Sequence, residues 1–168
     1  MDDVAPATAV DSGLRLRNRD FAMTDSAIAI TNLLYQYAER LDSGDLQGAA
    51  ALFRHARIQL SDGAGTIDAA QMLGVMRDLI ILYPCGTPRT RHVTSNPIIE
   101  LDQAGNRASV RSYYTVFQCT EGLPLQAITA GRYHDEFERV DGVWRFSFRD
   151  YSLQDAIGEM GFHLRGQG

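Results

Sequence analysis

Apolar residues in the first half of the chain recur at helical spacing. Ile30, Leu33, Leu34, Tyr37, Ala38 and Leu41 follow the i, i+3, i+4, i+7 pattern of a helix with one buried face. Thr24, Asp25 and Ser26 are favoured N-cap residues, so the pattern predicts a helix over about 26–42. Ser43-Gly44-Asp45 ends it, and Asp45 is placed to cap a short second helix carrying Leu46, Ala49, Ala50, Leu52 and Phe53. A brief strand is expected at 57–60, then a turn-rich stretch. Asp68 opens a third helix with Met72, Val75, Met76, Leu79 and Leu82 on one side, stopped by Pro84.

Beyond Pro84 the period changes. Segments 90–102, 107–119, 126–140 and 143–153 are rich in Val, Ile, Thr, Tyr and Phe and are separated by turn signals such as Asp141-Gly142. In the last of them Trp144, Phe146 and Phe148 alternate with Arg145, Ser147 and Arg149, which predicts one buried and one wetter face. Helices followed by hairpin-linked strands are the α+β pattern, with helices packed on one face of an antiparallel sheet.

Length and composition narrow the class. A chain of 168 residues fits one domain with a core large enough to fold alone. We expect a domain over 23–155, flanked by a disordered tail at 1–22 and a C-terminal tail at 156–168. Residues 1–22 contain no apolar run resembling a secretory signal, and Met23 is a plausible natural start. A net charge of −5 argues against a nucleic-acid-binding surface. All sixteen basic residues are arginine, which removes Schiff-base chemistry through lysine. Cys85 and Cys119 form neither a disulfide framework nor a zinc motif, and no apolar stretch is long enough to span a membrane. These features predict a soluble, cytoplasmic protein that binds neither nucleic acid nor membrane.

Two segments fifty residues apart carry candidate chemistry. Asp42 follows the apolar face of the first helix, where Tyr37 faces inward; a carboxylate there needs a partner. His92 opens a strand with Thr94 and Asn96 on the same side, a polar row that suggests a lined cavity. If the fold joins them, Asp42 orients His92, His92 moves a proton, and Tyr37 donates a hydrogen bond to a substrate oxygen. Tyr114, Thr94 and Arg132 are the expected substrate-binding residues. No serine or cysteine lies in a nucleophile-elbow context. His55, His92, His134 and His163 lack metal-ligand spacing, so neither metal nor cofactor is expected. His55, His134 and His163 are read as surface residues.

On these residues the chain resembles the SnoaL-like group of the nuclear transport factor 2-like superfamily. The resemblance covers about 26–153. It rests on Leu41-Asp42-Ser43-Gly44-Asp45, on Arg91-His92-Val93-Thr94-Ser95-Asn96-Pro97-Ile98-Ile99, and on Gly131-Arg132-Tyr133-His134-Asp135 before Asp141-Gly142-Val143-Trp144-Arg145-Phe146. It implies a cone in which a curved antiparallel sheet wraps around three N-terminal helices and encloses an apolar pocket. Within the group, scytalone dehydratase, the bile-acid 7α-dehydratase and hexachlorocyclohexane dehydrochlorinase use an Asp–His pair, and Asp42 and His92 match it. Tyr37 matches, by spacing, a pocket tyrosine of the bile-acid enzyme. The dehydrochlorinase's first-helix lysine has no counterpart here, and no match to the second catalytic histidine of scytalone dehydratase is evident.

The expected function is that of a lyase or isomerase, dehydratase-like, acting on a small hydrophobic and cyclic substrate through Asp42 and His92. The alternative is a non-catalytic binding protein, or a structural subunit like the β subunit of ring-hydroxylating dioxygenases. A homodimer or higher homo-oligomer is expected through an outer sheet face bearing Arg111, Tyr113 and Phe117.

Overall fold

In the computed structural model the described residues are 8–60 and 65–166, with side chains from Met23 onward. The first helix, α1, runs over Thr8–Ser43. It starts well before the expected residue 26, because no proline interrupts 8–43, and Thr24, Asp25 and Ser26 therefore lie inside it. Residues 1–7 of the expected tail lie outside the described residues. Ile30, Leu34, Tyr37, Ala38 and Leu41 form the buried face of α1, as their spacing predicts.

Asp45 caps α2 (Leu46–Ala51) by accepting from the Gly48 N–H. Asp68 and Gln71 form a reciprocal capping box on α3 (Ala69–Leu79). That helix stops at an extended Ile80, so Leu82 lies beyond it and is exposed.

The strands are β1 (Arg57–Gln59), β2 (Thr66–Ile67), β3 (Thr90–Leu101), β4 (Arg107–Thr120), β5 (Leu123–Val140), β6 (Val143–Asp150) and β7 (Gln154–Ile157). They form one curved sheet in the order β2-β1-β6-β5-β4-β3, with β7 paired to β5. The pairing is antiparallel except between β1 and β6, where it is parallel, so the sheet is mixed. The helices pack inside its curve, with Phe53, Ile58, Val110, Ile128, Phe137 and Phe146 almost fully buried between the layers.

Two bulges change which side chains face inward. In β6, Phe146 pairs with Phe137 and Phe148 with Glu136, so Ser147 is an extra residue and the faces exchange after it. Trp144 and Phe146 point into the core as expected, but Arg149 follows them inside while Phe148 is only half-buried. In β3 the register breaks between Ser95 and Ile98, where Asn96 has φ +52°. His92 and Thr94 lie on the inward side; Asn96 leaves the expected polar row and is exposed.

Residues 156–166, part of the segment expected as a C-terminal tail, pack on the domain. Residues 158–166 turn back across the end of α3, with the Ile81 N–H donating to the His163 carbonyl and the Arg165 N–H to that of Leu79. Tyr83 Oη and Gln118 Nε2 both donate to the Phe162 carbonyl, at 2.7 and 2.9 Å. Met160 and His163 are buried by this return.

Candidate active site

The end of α1 and the start of β3 meet because of a close backbone crossing. Gly44 has φ +81°, and a Cβ there would lie 2.0 Å from the Gly86 carbonyl oxygen. Only glycine meets both demands. The loop before β3 thus rides over the end of α1 and delivers Thr90 and His92 to Asp42.

Asp42 is met by three donors. His92 Nδ1 lies 2.6 Å from Oδ1, Thr90 Oγ1 donates to the same oxygen at 2.8 Å, and the His92 N–H donates to Oδ2 at 2.8 Å. Partial burial pushes the Asp42 carboxyl upward, but the hydrogen bonds and charge of His92, joined by Thr90, outweigh it and hold the group below the usual carboxylate range. An ionised carboxylate only accepts hydrogen bonds, so the His92 ring hydrogen sits on Nδ1 and Nε2 carries the free lone pair. That is the tautomer a general base requires.

His92 forms part of the wall of a cavity of about 200 Å³. Tyr37 and Leu41 from α1, Met72 and Met76 from α3, and Tyr114, Tyr133, Tyr151 and Met160 supply most of the remainder. The Tyr37 ring stands edge-on to the His92 ring at 6.4 Å between centroids. Burial, reinforced by Tyr151 and Tyr133, pushes the Tyr37 phenol well above its ordinary value, so it serves only as a neutral hydroxyl. Tyr114 reaches the cavity because its partner on β5 is Gly131; a Cβ there would lie 2.8 Å from the Tyr114 hydroxyl and 2.7 Å from the Leu153 carbonyl. With that space free, Tyr114 stacks on Tyr133 at 4.3 Å.

Beneath the tyrosines lies an ion pair that the strand pattern did not reveal. Arg149 and Asp135 are both fully buried and joined through two contacts of 2.6 and 2.8 Å. The guanidinium lies 4.2 Å from the Tyr133 ring centroid and 4.5 Å from that of Tyr37. Desolvation works against the Arg149 charge, but Asp135 overcomes it and holds the guanidinium protonated. Asp135 shares strand parity with Tyr133 and Phe137, which was a readable sign of a carboxylate in need of a buried partner.

The other expected site residues fall as follows. Thr94 lies opposite Tyr114 in the β3–β4 register and is half-buried, but it is not a wall of the cavity. Arg132 is a correction: it lies on the outer face, paired with Asp155 at 3.0 Å, because it alternates with inward Tyr133. His55 and His134 are exposed, as expected. His163, expected at the surface, is the second correction: it is 7% exposed and lines the same cavity as His92. The signal lay in its apolar neighbours Met160, Phe162 and Leu164, which mark a segment that packs. Among the described residues no three His, Cys, Asp or Glu side chains gather as a metal site, and no helix is long and apolar enough to cross a membrane.

The model of the SnoaL-like domain family matches residues 23–150. The chain belongs to this family. Its solved relatives share the fold at low identity. A protein from Novosphingobium aromaticivorans assigned as a scytalone dehydratase is 25% identical, with 76% of this chain and 85% of that one covered at a TM-score of 0.58. LinA is 21% identical, with 88% and 95% covered and a TM-score of 0.63. The β subunit of an assigned aromatic-ring-hydroxylating dioxygenase from N. aromaticivorans is 21% identical, with 82% and 93% covered and a TM-score of 0.61. No curated protein matches the sequence.

Proposed function

We propose that this SnoaL-like protein is a lyase or isomerase that acts on a small, hydrophobic, ring-containing molecule by proton transfer through His92. The observation that carries this reading is the 2.6 Å contact between Asp42 and His92 at the wall of an apolar cavity. His92 Nε2 takes a proton from carbon next to an electron-withdrawing group. Asp42 stabilises the imidazolium that forms, and the Tyr37 hydroxyl supports the oxygen that gains charge. This chemistry draws on neither metal nor organic cofactor. An apolar cavity of about 150 Å³ holds a benzene ring, so about 200 Å³ suits one substituted ring. Two free, exposed cysteines suit a reducing, cytoplasmic setting.

The test is a panel of cyclic hydroxy-ketones and unsaturated ketones followed by mass spectrometry for loss of water and by proton exchange in deuterated buffer. The wild type should turn over at least one member, and His92→Ala should lose about 10²–10⁴ of that rate. Turnover that survives His92→Ala would remove the dyad from the reaction. A second reading, a non-catalytic subunit, draws on the dioxygenase β-subunit likeness and on exposed Val93, Ile98, Tyr113 and Leu125. It predicts stable co-purification with a larger partner and unchanged behaviour of His92→Ala.

A further inference from the structure

We propose that His163, carried by the C-terminal turn, joins the Tyr37 hydroxyl as a hydrogen-bond donor to a carbonyl oxygen of the substrate in the cavity it shares with His92. This rests on the acid/base reading of the same site and deepens it, naming an uncharged ring ketone as the substrate class. Three observations converge. The imidazole lines the cavity among apolar walls such as Met72, Met76 and Leu164. Its Nδ1 is buried with no hydrogen-bond partner. Its backbone is fixed on both sides, with its own N–H donating to the Met160 carbonyl at 2.8 Å and its carbonyl accepting from the Ile81 N–H at 2.9 Å. A buried ring nitrogen left without a partner on so firmly held a residue is costly, and a role at the site is one of the explanations such a group calls for.

The missing partner also decides the tautomer. An unmet buried acceptor is tolerated better than an unmet N–H, so the ring hydrogen resides on Nε2, the end farther from the backbone. Burial, with the nearby His92, pushes the His163 imidazole down to about 4 against the opposing pull of Asp42. At neutral pH it is therefore an uncharged donor and not a proton source. The two histidines then have opposite roles. His92 Nε2 takes the α-proton, the C–H electron pair becomes the enolate C=C bond, and the carbonyl π pair moves onto the oxygen held by His163. In a β,γ-unsaturated ring ketone the dienolate so formed takes the proton back from His92 at its γ-carbon while the oxygen pair re-forms the carbonyl, completing isomerisation. Where a β-hydroxyl is present, it leaves with that proton as water.

The experiment uses the full-length protein and acetophenone labelled with ¹³C at the carbonyl. In the wild type, infrared difference spectra should show the bound carbonyl stretch at lower frequency than in His163→Phe. The Kd for the probe should be about three- to tenfold weaker in His163→Phe, the range expected for one neutral hydrogen bond. His163→Gln, which keeps an amide donor at similar reach, should recover much of the frequency shift. If His163→Phe does not fold, the wild-type imidazole ¹⁵N spectrum serves, where the probe should move the His163 Nε2–H resonance. Equal carbonyl frequencies in all three proteins, an unmoved resonance at saturation, or no binding of the probe would each overturn the assignment. His92→Ala separates the two claims: turnover surviving in it with the frequency shift intact sinks the dyad and leaves the His163 assignment standing.

Discussion

Replacing Asp42 by Asn tests the dyad more sharply than deleting it, because the shape is kept and only the hydrogen-bond logic changes. The carboxylate accepts from the His92 N–H at one oxygen and from Thr90 Oγ1 and His92 Nδ1 at the other. The backbone N–H cannot become an acceptor, so the asparagine oxygen must face it and the NH₂ must face Thr90 and the imidazole. The Thr90 hydroxyl can rotate to accept, whereas His92 can accept only by giving up its Nδ1 hydrogen. The ring is then forced into the tautomer with hydrogen on Nε2, pointing a donor at the cavity where a base is required. In catalytic histidines held by a carboxylate this inversion costs up to about 10⁴ in rate, so we expect a loss of about 10³–10⁴, or roughly 4–5.5 kcal/mol of barrier. Long-range ¹H–¹⁵N correlation spectra of ¹⁵N-histidine protein read the tautomer directly, with turnover measured on the same samples. The wild type should show Nδ1–H at His92 and the variant Nε2–H. The same tautomer in both, or a rate loss below tenfold, would refute the reasoning.

Other perturbations probe the walls of the site. His163 falls from 6.5 to about 4 on folding, so the unfolded chain binds its proton first as pH drops, and stability is full above pH 6.5 and lost towards pH 4. Wild-type unfolding free energy in urea should fall by about 2–3 kcal/mol between pH 7.5 and 4.5 from this group, and His163→Phe should flatten that slope. Asp42, whose folded value is depressed, adds a loss in the same sense only below pH 3.8. Arg149→Met strands a fully buried Asp135 and should cost about 3–5 kcal/mol, with most of it recovered in the Arg149→Met/Asp135→Leu double variant; equal losses in both would deny the ion pair that role. Gly131→Ala pushes a methyl against the Tyr114 hydroxyl and the Leu153 carbonyl, so it should cost about 1–3 kcal/mol in thermal unfolding and alter the near-ultraviolet signal of the stacked tyrosines. Light scattering should show at least a dimer at micromolar concentration, a state that Tyr113→Glu on the exposed face, where this side chain is 53% accessible, should weaken.

Much of this fold follows from local chemistry. The caps Asp45 and Asp68, the inward stripe of α1 and the alternation in β4 are short-range effects, and residue type at fixed spacing declares them. The bulges are different in kind. Ser147 is displaced because β5 and β6 must pair on both sides of it, and nothing in Arg145-Phe146-Ser147-Phe148-Arg149 announces the shift. One residue out of register exchanges Phe148 for Arg149 in the core and turns an expected surface charge into the cation beneath the tyrosines. The early start of α1 has a similar cause: good caps at 24–26 do not stop a helix that nothing interrupts.

The site divides along the same line. Asp42 and His92 lie beside elements with strong local signals, the end of an amphipathic helix and the start of a strand, so their meeting was a matter of topology alone. His163 belongs to no element, and its burial depends on two carbonyls of the return turn being claimed by Ile81, Tyr83 and Gln118, residues 44 or more positions away. The half of the site proposed to hold the substrate oxygen is accordingly the half least constrained by local pattern. Family likeness at 18–25% identity cannot fill that gap, since it conveys the cone and not its contents. If the dyad supplies the proton chemistry and the C-terminal turn supplies the oxygen contact, exchanging residues 158–166 between relatives should change which ketone is accepted while leaving proton exchange at the reacting carbon dependent on Asp42. Turnover spectra that ignore the exchanged turn would return specificity to the strand walls, to Tyr114 and Tyr133 above all.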